Sequence, residues 1–281
     1  MGLNTVFLVI ALLALAMNIL LIATVVNISR FSPVMALILA LTLVDMIIPI
    51  VTIIAVSYNI YTGNPINAIP NACNLKGPID FIGIFLSMLL VSLIALFRAS
   101  RIVGHTPLYS TVPILGLFSL VFISLVIACA VQGEFRVLAD GVDCAPISST
   151  SSLSRVVLIL HSFALLLFLC ITVCGYIQIL ISSSNNSKDF PEVVTSRWAV
   201  KRPVVIRITA TITSYLLITL PPAVLLFLEA TLIRTKVFNT PIDLFLTSIP
   251  LLNPTLILLS HSLLFQQLLL SSQRLQPRFV Q

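Results

Sequence analysis

Two charged residues sit inside apolar runs, where charge is costly: Asp45 in "LALTLVDMIIP" and Arg98 in "SLIALFRASRIV". A carboxylate at the middle of a membrane helix costs about 2.5–3.5 kcal/mol on insertion scales, so such a residue is functional by default. One carboxylate among neutral oxygens makes a hard-cation site; the plainer alternative is a protonated or hydrogen-bonded Asp that joins helices. An arginine at a helix end is either a snorkelling flank or the working part of a switch. Earlier in the same run, Lys76 and Asp80 stand i,i+4 and can pair on the helix surface, which competes with a cation-binding role for Asp80. His105, His161 and His261 are scattered, and no metal-ligand spacing, phosphate-cradling glycine loop or nucleophile triad is visible, so no enzyme is expected. His161 and His261 read as hydrogen-bonded polar groups on helix interfaces.

The elements that position these residues follow from composition. Hydrophobic residues make up 59% of the 281 and charged residues 9%, against roughly 45–50% and about 25% in soluble domains. An integral membrane protein is implied. The net charge of +6 resides in short segments between apolar runs, not in a tail or stripe, which argues against nucleic acid. Runs of the ~20 residues that cross a membrane occur at roughly 4–29, 32–58, 75–101, 109–132, 154–182, 204–232 and 241–262. The fold expected is an all-α membrane protein, a seven-transmembrane helix bundle forming one domain over 1–281. A short amphipathic C-terminal helix lying on the membrane surface is expected over about 263–274, where Leu263, Leu264, Leu268 and Leu269 recur at helical spacing.

Sorting the cations orients the bundle. One side takes Arg30, Arg98, Arg101, Lys188, Arg197, Lys201, Arg202, Arg207, Arg274 and Arg278, and the other only Lys76, Arg136, Arg155, Arg234 and Lys236. The positive-inside rule puts the amino terminus outside and the carboxyl terminus in the cytoplasm. The first run is too long for a signal-peptide core and is expected to serve as its own anchor. The sequons at Asn27 and Asn185 fall on the cytoplasmic side and should stay unmodified. Cys129, Cys170 and Cys174 fall inside helices as packing thiols. Cys73 and Cys144 both lie on the oxidising side, so they can pair, the alternative being two free thiols. A bridge closing about 70 residues would contribute roughly 4 kcal/mol.

From Cys73 to Arg98 is about 25 residues, or ~37 Å of helix, which spans the hydrocarbon core and part of both interfaces. With Asn18 in "LAMNILL", Asp45, Pro221 in "LLITLPPAV" and Asn253-Pro254 in "LLNPTLILLSHS", the chain resembles the rhodopsin-like family of G-protein-coupled receptors along nearly its whole length. Departures mark a divergent member: Phe97 and Ala99 flank the arginine in place of an acid and a tyrosine, and helix four lacks a Trp. Thr219 stands where helix six has its Trp, and Ile257 ends the Asn-Pro motif in place of Tyr.

The resemblance implies that Asp45 meets Ser87, Asn253 and Asn18 in a polar core that holds sodium in the family. It implies an extracellular ligand, bound near Lys76, Asp80, Thr219 and Asp243; the two carboxylates would favour a cation. Pro221 and Pro254 would be the hinges of helices six and seven, and a heterotrimeric G protein would meet Arg98. Helix seven contains no Lys, so a retinal Schiff base has nowhere to form. In such receptors the arginine is held inward by its neighbouring acid and by a Glu at the start of helix six, and Phe97 and Lys201 replace both here. The resting state should lose about 1–2 kcal/mol of bias, a roughly five- to thirtyfold population shift. Raised basal signalling is expected, opposed by the missing tyrosine at Ile257, which supports the active form with a residue like Tyr176. A small transporter or channel is the rival, although no internal repeat or paired broken helices are seen. An uncoupled, degenerate receptor is a third reading.

Overall fold

The computed structural model describes residues 2–27, 32–64, 69, 71–103, 108–137, 144–146, 151–185, 194–232 and 239–260. Helices α1 (Gly2–Val26), α2 (Pro33–Thr62), α3 (Ala72–Val103) and α4 (Leu108–Val131) are followed by strands β1 (Phe135–Val137) and β2 (Cys144–Pro146). Helices α5 (Ser152–Asn185), α6 (Val194–Leu232) and α7 (Asn239–Ser260) complete the order. Six helices contain segments long and apolar enough to cross a membrane, and α7 adds the shorter apolar stretch Thr247–Leu258. Their outward faces carry large apolar side chains such as Leu13, Ile54, Leu117 and Leu217. The chain is an integral membrane protein.

Local chemistry sets the helix ends. Ser32 caps α2 by accepting a hydrogen bond from the Met35 N–H, and Pro33 occupies the first turn, where its missing N–H costs nothing. The same helix runs past the expected end near 58 until Gly63, whose left-handed φ of 67° lets its N–H close on the Asn59 carbonyl. Helix α6 starts at Val194 instead of near 204 and is helical throughout, Pro221 and Pro222 included. The proline pair does not end the helix and costs only local backbone bonds. The surface helix expected over 263–274 and His261 lie outside the described residues, as does His105.

Helix α3 is the axis of the bundle, packing on α2, α4, α5 and α7 and on both strands, while α1 closes the ring against α7. Its interior face is aromatic: Phe85 stacks on Phe122 at 4.3 Å and meets the edge of Phe168 at 5.3 Å. Ser92 ties α3 to α5 by donating to the Phe168 carbonyl at 2.9 Å. The sequence reading contained no strands; the structure adds an antiparallel ribbon with Arg136 opposite Ala145 and Val137 opposite Cys144. Strands of three residues carry too little alternation to stand out from a loop. A disulfide from Cys73 to Cys144 pins this ribbon to the start of α3, and Phe135 lies over Gly77, where an added Cβ would sit 2.0 Å from the Phe135 ring. Only glycine permits that approach.

Candidate functional site

The polar core is assembled from five helices. Asp45 of α2, Ser87 of α3, Asn253 of α7 and Asn18 of α1 are all fully buried. The Asn253 side-chain N–H groups donate to Asp45 Oδ2 at 2.9 Å and to Ser87 Oγ at 2.7 Å. Tyr215 of α6, also buried, donates its hydroxyl to Asn253 Oδ1 at 2.7 Å. That bond fixes which way the amide points, because turning it round would set the amide oxygen against the Asp45 carboxylate. Tyr215 did not figure in the sequence reading. Its only signal there was its type and place, one tyrosine in the apolar run before Pro221.

Asn18 serves a different partner from the one expected. Its Nδ2 donates to the Ala14 carbonyl and to the Pro250 carbonyl of α7, each at 2.9 Å. In an uninterrupted helix the Pro250 carbonyl would accept from the N–H four residues on, but Pro254 stands there and has none. The asparagine of α1 thus satisfies a carbonyl freed by the proline of α7. Asn18 Oδ1 and Asp45 Oδ1 are buried without a hydrogen-bond partner among the described residues.

At the far end of α3, Arg98 Nη1 donates to the Tyr176 hydroxyl of α5 at 3.4 Å. Tyr176 packs with Ala95, Ala99, Ile179 and Ile208, so the small residue after the arginine makes room for the α3–α5–α6 junction. Gly175 contributes to the same closeness, since a Cβ there would meet the Ala95 backbone at 3.2 Å. Lys201 lies on α6, but its side chain is outside the described residues.

Near the disulfide, Lys76 and Asp80 form an ion pair. The spacing predicted a pair on the helix surface; the pair is instead buried, with Lys76 only 2% exposed. Thr219 is buried with its hydroxyl oxygen unpartnered among the described residues, and the Asp243 side chain lies outside them. His161 corrects another expectation: it is fully buried, but neither ring nitrogen has a hydrogen-bond partner among the described residues. It lies between Phe81, tilted against it at 4.6 Å, and Phe122, stacked at 5.6 Å, so ring packing holds it. All three free cysteines fall inside helices as expected, Cys129 buried in α4 and Cys170 and Cys174 exposed on α5.

Glu134, at the turn after α4, accepts hydrogen bonds from the hydroxyls of Ser151 and Ser154 at the start of α5. Burial pushes its carboxyl up, but hydrogen bonds from Ser151, Ser154 and Cys129 outweigh that and hold it below the usual carboxylate range. Ser151 also caps α5 by accepting from the Ser154 N–H at 3.1 Å. The cluster fixes the loop to a helix start where negative charge is favoured. No group of three or more potential metal ligands is found among the described residues.

No family model matches the chain, and no curated protein matches it. Among solved structures the chain is similar to squid rhodopsin, with 15% sequence identity and a TM-score of 0.71 over 97% of this chain and 85% of that one. At that identity the likeness establishes the architecture: the chain has a rhodopsin-like seven-helix fold.

Proposed function

We propose that the chain is a G-protein-coupled receptor that passes an extracellular ligand signal to a cytoplasmic heterotrimeric G protein, with raised basal output. The amino terminus lies outside the plasma membrane and the carboxyl terminus in the cytoplasm. The observation that carries the reading is Arg98, at the opposite end of α3 from the disulfide and bonded to Tyr176. In resembling receptors a tyrosine at that place supports the active form, so this contact favours basal signalling. Phe97 packs against the apolar core and offers the arginine no counter-charge. Tyr176 and Arg98 act together, and Lys201 stands on α6 where the resembling receptors carry a Glu that would hold the arginine.

The ligand side departs from a receptor for amines. Asp80 already holds the Lys76 ammonium, so a cationic ligand has to displace a buried partner. A ligand that leaves the pair intact fits this geometry better, and Thr219 offers it a hydroxyl oxygen with no partner among the described residues. The donor set does not fit sodium between Asp45, Ser87 and Asn253, because the amide that faces both oxygens presents N–H groups. The polar core works through its own hydrogen bonds, and the melting temperature should not change when sodium replaces choline.

G-protein activation is to be compared in membranes carrying the wild type and Arg98→Ala, without ligand and at matched surface expression. A basal signal lost in the mutant is the expected result. Equal signal in both refutes the switch, and silence in both moves weight to an uncoupled receptor or a transporter.

A further inference from the structure

Among the described residues, the hydrogen bonds traced from the core reach Tyr215, and those traced from Arg98 reach Tyr176. A small cavity lies between, walled by both tyrosines and by Val91, Ile94, Leu256 and Ile257. Its volume is about 10 Å3, about the least that one water requires.

The hydrogens are complementary across it. Tyr215 spends its single hydrogen on Asn253 and keeps only acceptor capacity. Tyr176 accepts from Arg98 and keeps its own hydrogen to give. One side thus has an unspent donor and the other an unspent acceptor, with side chains that cannot bond filling most of the wall. We propose that one bound water fills this cavity, accepting from Tyr176 and donating to Tyr215. Thr211 lies on the same wall and can take its second hydrogen. The water completes a hydrogen-bonded chain from Asp45 through Asn253, Tyr215 and Tyr176 to Arg98. Tyr215 is its positioning residue, since it both orients the Asn253 amide and receives the water. A movement of α6 then reaches the core and the arginine at once; that consequence rests on the receptor reading, whereas the chain of bonds does not.

The test is a double-substitution cycle on the full chain in lipid nanodiscs, read by thermal melting. Tyr176→Phe and Tyr215→Phe should each lower the apparent Tm by ~2–4 °C. The double variant should lose less than the sum of the two singles, because the shared water bridge is lost only once while each tyrosine's own bond, to Asn253 or from Arg98, is lost separately. Additive losses, or single variants that melt with the wild type, overturn the proposal. Val91→Ile adds a methylene to the wall and excludes the water; in that background the two losses should become additive, and persistent coupling would overturn the bridge. Melting is independent of signalling. A silent protein with coupled tyrosines defeats the receptor reading alone, and a signalling protein with uncoupled tyrosines defeats the water bridge alone.

Discussion

Replacing Asp80 by Asn removes a counter-charge from an ammonium that has almost no contact with solvent. Lys76 is 2% exposed and Asp80 14% exposed, and the ribbon, through Phe135 on Gly77 and the Cys73–Cys144 bridge, covers that end of α3. Breaking a buried pair from one side costs about 3–5 kcal/mol, mostly the penalty of the charge left behind. For a domain of this size each kcal/mol corresponds to roughly 2–4 °C, so Asp80→Asn should melt on the order of 6–20 °C below the wild type. Removing both charges with Lys76→Met and Asp80→Leu should restore most of the loss, because apolar replacements of a buried pair are often neutral. The assay is thermal unfolding of the purified protein in nanodiscs, followed by thiol labelling of buried Cys129. An Asp80→Asn protein that melts within ~2 °C of the wild type would show that Lys76 reaches water or another anion, and the reasoning would fail.

Asn18→Ala should cost about 1–3 kcal/mol by leaving the Pro250 carbonyl unsatisfied, and much less in a Pro254→Ala background, where a backbone N–H returns to that carbonyl; paired melting curves check this. Gly77→Ala should drive the ribbon off α3, because its Cβ would overlap the Phe135 ring, and Phe135→Ala should restore the melting temperature in the same protein. Glu134 has its folded pKa lowered, so its contribution to stability is full above its ordinary value near 4.5 and is lost as pH falls through the lower folded value. Melting of the wild type should therefore decline below about pH 5 more steeply than that of Glu134→Gln, and parallel curves would refute the assignment.

Spans were legible because about 20 consecutive apolar residues admit few other interpretations. That a carboxylate and an amide inside lipid must seek polar partners was legible too, but that Asp45 meets Ser87 and Asn253 came from the family resemblance and not from the residues alone. Tyr215 was not, since a tyrosine in an apolar run packs as easily as it bonds, and only the rotation of α6 about its axis tells which. The spacing of Lys76 and Asp80 declared a pair, but its burial depends on a ribbon contributed from residues well past α4. His161 shows the converse: polarity suggested a hydrogen bond, and the aromatic rings of α3 and α4 filled its surroundings instead.

The bonds that satisfy the buried polar residues join partners far apart in the chain, 208 residues from Asp45 to Asn253 and 232 from Asn18 to Pro250. Helix α7 is the element that supplies both. During synthesis, α1 and α2 therefore enter the bilayer before the α7 partners of Asn18 and Asp45 exist, and part of the insertion cost of Asp45 stands until α7 emerges. Contacts of such long sequence separation form late. Nascent chains halted after α6 should present Asn18 and Asp45 to lipid or to membrane chaperones, which makes arrival of the seventh helix the step that commits the chain to its folded form.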